Sequence, residues 1–220
     1  MMDLEAARNA VVAAGQRLLS EGLVARTWGN VSVRLDAERM VITPSGRAYE
    51  TMEPGDIATV NLRTGAWEGR WKPSSEHQLH EEIYRTRPEI GAVIHTHQMN
   101  ASTVAAARRE VPPILDDMVQ IIGPSVRCAD YALPTTGKIV RVTVKALKGR
   151  MAALMANHGA VCVGRDLEEA FVVAQVLEKA CKAFIEAEFL GGAKSIGKVE
   201  AWMMHQFYLR KYSRRAAETK

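Results

Sequence analysis

The run Ala92-Val93-Ile94-His95-Thr96-His97 constrains this chain more than any other. It is apolar until it ends in two histidines at positions i and i+2. In a strand those positions share a face, so the pair aims two imidazoles at one point. Apolar character of this length, bounded by turn residues, reads as a buried strand. Just upstream, Pro73-Ser74-Ser75-Glu76-His77 opens a helix. Ser75 with Gln78 three residues on fits a capping box, so the helix is expected from about Glu76 to Thr86, ending at Arg87-Pro88.

A third histidine completes the pattern. His158 stands in Ala156-Asn157-His158-Gly159, after the apolar stretch Met151–Asn157, where Gly159 allows a sharp bend. Catalytic metal sites commonly use three protein ligands and keep one position open. His95, His97 and His158 are therefore the candidate metal ligands. Nitrogen donors suit Zn²⁺ first, with Co²⁺, Mn²⁺, Fe²⁺ and Ni²⁺ also compatible. Glu76, at the start of the preceding helix, is the candidate proton-carrying carboxylate. His77 and His80 share that helix and read as packing or supporting residues, and His205 as structural or exposed.

The rest of the chain supplies a frame. Leu4, Ala7, Val11, Ala14, Leu18 and Leu19 recur at helical spacing over residues 3–20. Val31, Val33 and Leu35 alternate with polar residues, as in a half-buried strand that forms a hairpin with Met40-Val41-Ile42. Ile57–Leu62 is a third strand. Met99–Arg109 reads as a helix, Met118–Ile122 as a strand, Val126–Ala129 as a short strand and Gly137–Leu147 as a helix capped by Thr136. Ala160–Val163 is strand-like. Asp166 and Glu169 form a second capping box, opening a long helix to about Phe189, and a last helix runs from Lys198 to about Arg215. Strands flanked by helices predict one α/β domain over residues 1–220. Its architecture is a three-layer α/β/α sandwich around a mixed, mainly antiparallel sheet.

Three small polar turns surround the histidine region: Gly29-Asn30, Thr43-Pro44-Ser45-Gly46 and Ser74-Ser75. Each offers backbone N–H groups and short polar side chains, and the last opens a helix, whose N-terminus favours an anion. Neither a P-loop nor a dinucleotide glycine fingerprint is present, which argues against a nucleotide. Beside a metal site, the turns point to a small phosphorylated substrate.

Composition narrows the rest. The chain has 220 residues, 47% of them apolar, enough for a substantial core. Its net charge of +4 comes mostly from the tail Arg210-Lys211-Tyr212-Ser213-Arg214-Arg215. No basic stripe with interleaved aromatics predicts nucleic-acid binding, and no apolar run reaches membrane-spanning length. The three cysteines, Cys128, Cys162 and Cys181, form no CxxC pair. A cytoplasmic location is expected.

These pieces, in this order, resemble the class II aldolase/adducin-head family. The matching segments are Gly29-Asn30-Val31-Ser32-Val33, Ile42-Thr43-Pro44-Ser45-Gly46, Pro73-Ser74-Ser75-Glu76, Val93-Ile94-His95-Thr96-His97 and Asn157-His158-Gly159-Ala160. The likeness is greatest to its sugar-phosphate aldolases of the fuculose-1-phosphate type. It implies His95, His97 and His158 as metal ligands and Glu76 as acid/base. It implies Asn30, Ser45, Gly46, Ser74 and Ser75 as phosphate binders. It also implies cleavage of a ketose 1-phosphate to dihydroxyacetone phosphate and an aldehyde, in a homotetramer with sites between subunits.

At one place the chain departs from the pattern. Where the family has a tyrosine for the aldehyde oxygen, this chain has Asp116-Asp117, and Tyr208 or Tyr212 is left as the C-terminal phenol. A small or apolar aldehyde, as from 5-deoxyribulose or 5-(methylthio)ribulose 1-phosphate, fits that change. Sugar-phosphate 4-epimerases of the superfamily carry aspartate in place of Glu76, methylthioribulose-1-phosphate dehydratase shares the three-histidine site, and adducin-like interaction modules lack the metal set.

Overall fold

The structure, a computed structural model, describes residues 3–218, with side chains placed through Lys211. Helix α1 (Leu4–Ser20) is capped by Asp3, whose carboxylate accepts from the Glu5 and Ala6 N–H groups. Strands β1 (Asn30–Arg34) and β2 (Arg39–Ile42) form the expected antiparallel hairpin. Strands β3 (Ala58–Asn61) and β4 (Trp67–Glu68) extend it to one edge. Helix α2 (His77–Thr86) leads into β5 (Ala92–Thr96), which pairs antiparallel with β1. Helices α3 (Met99–Ala106) and α4 (Asp116–Ile121), strand β6 (Cys128–Ala129) and helix α5 (Gly137–Leu147) follow. Strands β7 (Ala152–Met155) and β8 (Gly159–Gly164) then precede the long helices α6 (Leu167–Phe189) and α7 (Lys198–Glu218).

One eight-stranded sheet has the order β4-β3-β2-β1-β5-β8-β7-β6. Every pairing is antiparallel except β6 with β7. Helices α1, α3 and α6 cover one face, while α2 and α5 pack together over the other. The predicted mixed, mainly antiparallel three-layer architecture is therefore the observed one. The His95 strand lies in mid-sheet, between β1 and β8, so its residues 92–96 are all buried.

Three expectations need correction. Met118–Ile122 is not a strand: it belongs to α4, which opens with Asp116 and Asp117 at its positive end. Five apolar-leaning residues cannot reveal a period, and here packing against α6 and α7 decides. The Ser75–Gln78 capping box does not form either. Glu76 occupies the cap position of α2 without a side-chain cap bond, and it is Ser74 Oγ that accepts the Glu76 N–H at 3.3 Å. The second box forms in altered register. Asp166 accepts the Glu169 N–H at 2.8 Å, but Glu169 reaches back to the Arg165 N–H at 2.7 Å, one residue before the cap.

Candidate functional site

The site collects where β1, β5 and β8 end. In the register, Asn30 stands directly opposite His95 and His95 opposite Val161, so these side chains share a face. His97 lies just beyond β5, its N–H bonded to the Leu23 carbonyl at 3.0 Å. His158 occupies the β7–β8 turn. That turn depends on two backbone features. Asn157 adopts a left-handed φ of 56°, which asparagine tolerates better than most residues. Gly159 presses on β5 so closely that a Cβ there would sit 2.3 Å from the Thr96 carbonyl oxygen. The sharp bend expected at Gly159 is made instead at Asn157; Gly159 opens β8 without a left-handed φ, and what requires glycine there is the close approach to β5.

The three rings converge. His95 Nε2 lies 3.0 Å from His158 Nε2 and 2.9 Å from His97 Nε2. The opposite nitrogen of His95, Nδ1, lies 2.8 Å from the Ala160 carbonyl oxygen. A carbonyl only accepts, so Nδ1 carries a proton and donates it, which leaves Nε2 turned toward the cluster. Burial, reinforced by the neighbouring histidines, pushes the His97 imidazole down to about 3 and lowers that of His158 as well. Three rings with converging nitrogens have the donor set of a divalent-cation site, and a cation would relieve the crowding of those nitrogens.

Glu76 adjoins the cluster. Its Oε2 lies 3.2 Å from His95 Nε2 and accepts from Asn30 Nδ2 at 3.0 Å, while Oε1 lies 3.4 Å from His158 Nε2. Burial pushes this carboxyl up, but His95, His158 and the Asn30 amide outweigh it and hold the group below its ordinary value. It is ionised at neutral pH, and a bound cation would act in the same direction.

A cleft of about 210 Å³ opens over these groups. Its walls include Asn30, Ser45, Gly46, Ser74 and Ser75 together with Glu76, His97 and His158. The three polar turns are tied in series: Thr43 N–H donates to the Val31 carbonyl and Ser74 N–H to the Thr43 carbonyl, both at 3.0 Å. An isolated bridge between Pro44 and Pro73 adds to this. Residues scattered over the sequence thus form one rim. A larger groove, about 1100 Å³, lies along the outer side of α2 and holds none of the converging histidines.

Four cleft residues were not foreseen: Thr27, Trp28, Pro134 and Thr135. The Trp28 ring centre is 6.3 Å from that of His97. An aromatic residue directly before Gly29-Asn30 was a usable signal; nothing local marked Pro134 or Thr135. Conversely, Asp116, Asp117 and Tyr208 do not line the cleft. Asp117 instead bonds Lys179 Nζ at 2.7 Å. The side chain of Tyr212 lies outside the described residues. His205 is buried with Nδ1 2.8 Å from the Gln120 carbonyl, a structural placement.

Comparison with known proteins gives a consistent picture. The family model for the Class II Aldolase and Adducin N-terminal domain matches residues 9–185. A 5-deoxy-D-ribulose 1-phosphate aldolase of Bacillus thuringiensis serovar kurstaki is 34% identical over 200 residues, 90% of this chain and 93% of that protein. A 5-methylthioribulose-1-phosphate/5-deoxyribulose-1-phosphate aldolase of Rhodospirillum rubrum is 34% identical over 179 residues, covering 81% and 80%. A solved L-fuculose 1-phosphate aldolase superposes with a TM-score of 0.87 at 31% identity, covering 92% of this chain and 95% of that one.

Proposed function

This chain belongs to the class II aldolase and adducin N-terminal domain family, and from that premise we propose that it is a metal-dependent aldolase. It cleaves a ketose 1-phosphate to dihydroxyacetone phosphate and an aldehyde. The observation that carries the proposal is the convergence of three imidazole Nε2 atoms beside the Glu76 carboxylate, in a cleft rimmed by small polar turns.

His95, His97 and His158 hold the divalent cation, with Zn²⁺ the first candidate for three nitrogen donors. When bound, the cation supplies Lewis-acid stabilisation of negative charge developing on the substrate. The other steps belong to the chain and the substrate. The C4 hydroxyl gives up its proton to the ionised Glu76 carboxylate as it becomes the aldehyde carbonyl. The C3–C4 bond breaks, and its electron pair enters an enediolate spanning C2 and C3. Glu76 returns a proton to C3, and in the condensing direction removes it. Its side chain is only 11% exposed, which limits exchange with bulk water.

Asn30, Ser45, Gly46, Ser74 and Ser75 hold the phosphate. The Asn30 amide carries two hydrogens, so its bond to Glu76 leaves one for the substrate. Trp28 and Pro134 form an apolar wall for the aldehyde half. That wall suits a 5-deoxy or 5-methylthio substituent better than a polar one, in line with the substrates named for the curated relatives. The chain acts as one domain over residues 1–220, a reading supported by a buried apolar cluster running from Ala7 to Phe184. It assembles as a homotetramer in the cytoplasm, with neighbouring subunits completing the cleft. Phe189, Leu190, Trp202 and Phe207, each more than half exposed, support a further subunit against the C-terminal helices.

The test is release of dihydroxyacetone phosphate from fuculose, rhamnulose, 5-deoxyribulose and methylthioribulose 1-phosphates, with and without a chelator. Chelator-sensitive release is the expected result. No release from any of them, with metal confirmed in the protein, would overturn the proposal.

A further inference from the structure

Behind the cleft, Tyr84, Ser32 and His80, to which the aldolase chemistry above gives no part, form a buried polar line that ends on Asn30. Tyr84, Ser32, His80 and Asn30 are each no more than 2% exposed. His80 and Tyr84 come from α2, one turn apart, and Asn30 and Ser32 from the same face of β1. Ser32 Oγ lies 2.9 Å from Tyr84 Oη and 2.6 Å from His80 Nδ1. His80 Nε2 lies 2.5 Å from Asn30 Oδ1. Asn30 Nδ2 reaches Glu76 Oε2 at 3.0 Å.

The direction of every bond follows from the carboxylate. Glu76 only accepts, so Asn30 must present its NH₂ end to Oε2. The amide oxygen then faces His80 and also only accepts, so His80 Nε2 carries the proton. Burial pushes the His80 imidazole down to about 3, which keeps the ring neutral with a single N–H. Nδ1 therefore accepts the Ser32 hydroxyl proton, and the single Tyr84 hydroxyl proton is shared between Ser32 Oγ at 2.9 Å and the Ser32 backbone carbonyl at 3.0 Å. Turning the Asn30 amide over would set two acceptors against each other at Glu76 and two donors against each other at His80. Such a line is rigid only while every member is satisfied. At its end, the two Glu76 oxygens differ. Oε2 has Asn30 as donor; Oε1 is buried and makes no hydrogen bond among the described residues.

Resting on the aldolase reading, we infer that Tyr84, Ser32 and His80 are positioning residues. Through Asn30 they pin Glu76 Oε2 as an acceptor and reserve Oε1 as the oxygen that carries the proton to and from C3. None of the three touches the substrate; their effect passes through one amide.

The test uses the metal-loaded protein and follows exchange of the C3 hydrogen of dihydroxyacetone phosphate with solvent deuterium. That reaction isolates the Glu76 proton step from aldehyde handling. Ser32→Ala deletes one oxygen and His80→Phe keeps the ring's bulk without its nitrogens. Both are expected to slow exchange by roughly 10- to 100-fold, the usual effect of removing an orienting partner, while metal content and folding are retained. His80→Gln, which restores a donor and an acceptor, is expected to recover most of the rate. On an Asn30→Ala background His80→Phe should add almost nothing, because the two act in series. Exchange at the wild-type rate in Ser32→Ala, or additive loss in the double variant, would overturn the inference.

A second readout needs no activity. Nitrogen-15 histidine spectra of the metal-free protein are expected to show His80 as the Nε2–H tautomer, moving toward a mixture in Ser32→Ala. A wild-type Nδ1–H tautomer would overturn the orienting line. Absence of exchange in the wild-type protein would instead overturn the aldolase reading, and with it the role given to Oε1, leaving the tautomer to judge the line itself.

Discussion

The two faces of strands β1 and β5 are built on different principles. Toward α1 and α6 they present Val31, Val33, Ala92 and Ile94, with Cys162 of β8 beside Ile94, all buried and apolar, and only Thr96 at the end of β5 brings a buried hydroxyl to that face among these residues. Toward α2 they present Asn30, Ser32 and His95, as deeply buried and yet polar, with the apolar Val93 opposite Ser32. The first face is held by area removed from water, which is indifferent to direction. The second is held by hydrogen bonds that specify which atom points where, and its burial is tolerable only because each group is paired. Stability and orientation are thus divided between opposite sides of the same strands, in residues one position apart in the chain. Losses on one face should appear as unfolding, and losses on the other as faulty chemistry in a folded protein.

That contrast breaks most visibly at Glu76. Glu76→Gln should lower turnover by on the order of 10³-fold, within the range for removing a general acid/base, and leave the melting temperature and metal content almost unchanged. Near-normal turnover would reject the acid/base assignment. His97→Ala should lose the bound cation by elemental analysis and activity with it; unchanged metal content would reject His97 as a ligand. Ile94→Ala, on the apolar face, should behave in the opposite way. It is expected to cost about 3 kcal/mol of stability in denaturant melts while the kcat of the folded protein holds. A fall in kcat at unchanged stability would abolish the division between the faces.

Two smaller effects sharpen it. Trp28 is 60% exposed, so Trp28→Ala should change stability by under about 0.5 kcal/mol. It should raise the KM for a methylthio-bearing substrate by roughly 10-fold, the value of a modest apolar contact, with a lesser effect on a hydroxylated one. Equal effects on both would remove Trp28 as the apolar wall. His80 supplies the last. Its folded value of about 3 lies below the ordinary histidine value, so the unfolded chain binds the extra proton first. Its contribution is fully present above about pH 6.5 and is lost as pH falls from there toward 3, at up to about 1.4 kcal/mol per pH unit. His80→Gln should therefore flatten the acid limb of a stability–pH profile, and parallel profiles would show that His80 charges freely in the folded state.

Much of the frame was legible because periodicity is a local record of burial. The helical spacing from Leu4 to Leu19, the hairpin of β1 and β2 and the apolar run ending in His95 are all set by which face of a short segment meets the core. The same holds for the i, i+2 relation of His95 and His97, which backbone geometry alone imposes. What failed had no such record. Met118–Ile122 was too short to show a period, and α6 and α7 made it helical. Ser32 looked like the solvent side of a half-buried strand until α2 covered it with His80 and Tyr84. Pro134 and Thr135 gave no local sign that they would line the cleft.

The sequence by itself determined most of the elements, singled out the three histidines and the glutamate as candidates, and carried the family resemblance, because residue type and short-range spacing hold that information. Only the tertiary structure decided that His158 meets His95 across 63 residues, that three separate turns share one rim, and that Asn30 turns its amide nitrogen toward Glu76. Those outcomes depend on hydrogen-bond partners brought together by strand register and helix packing, and no single segment encodes its distant partner.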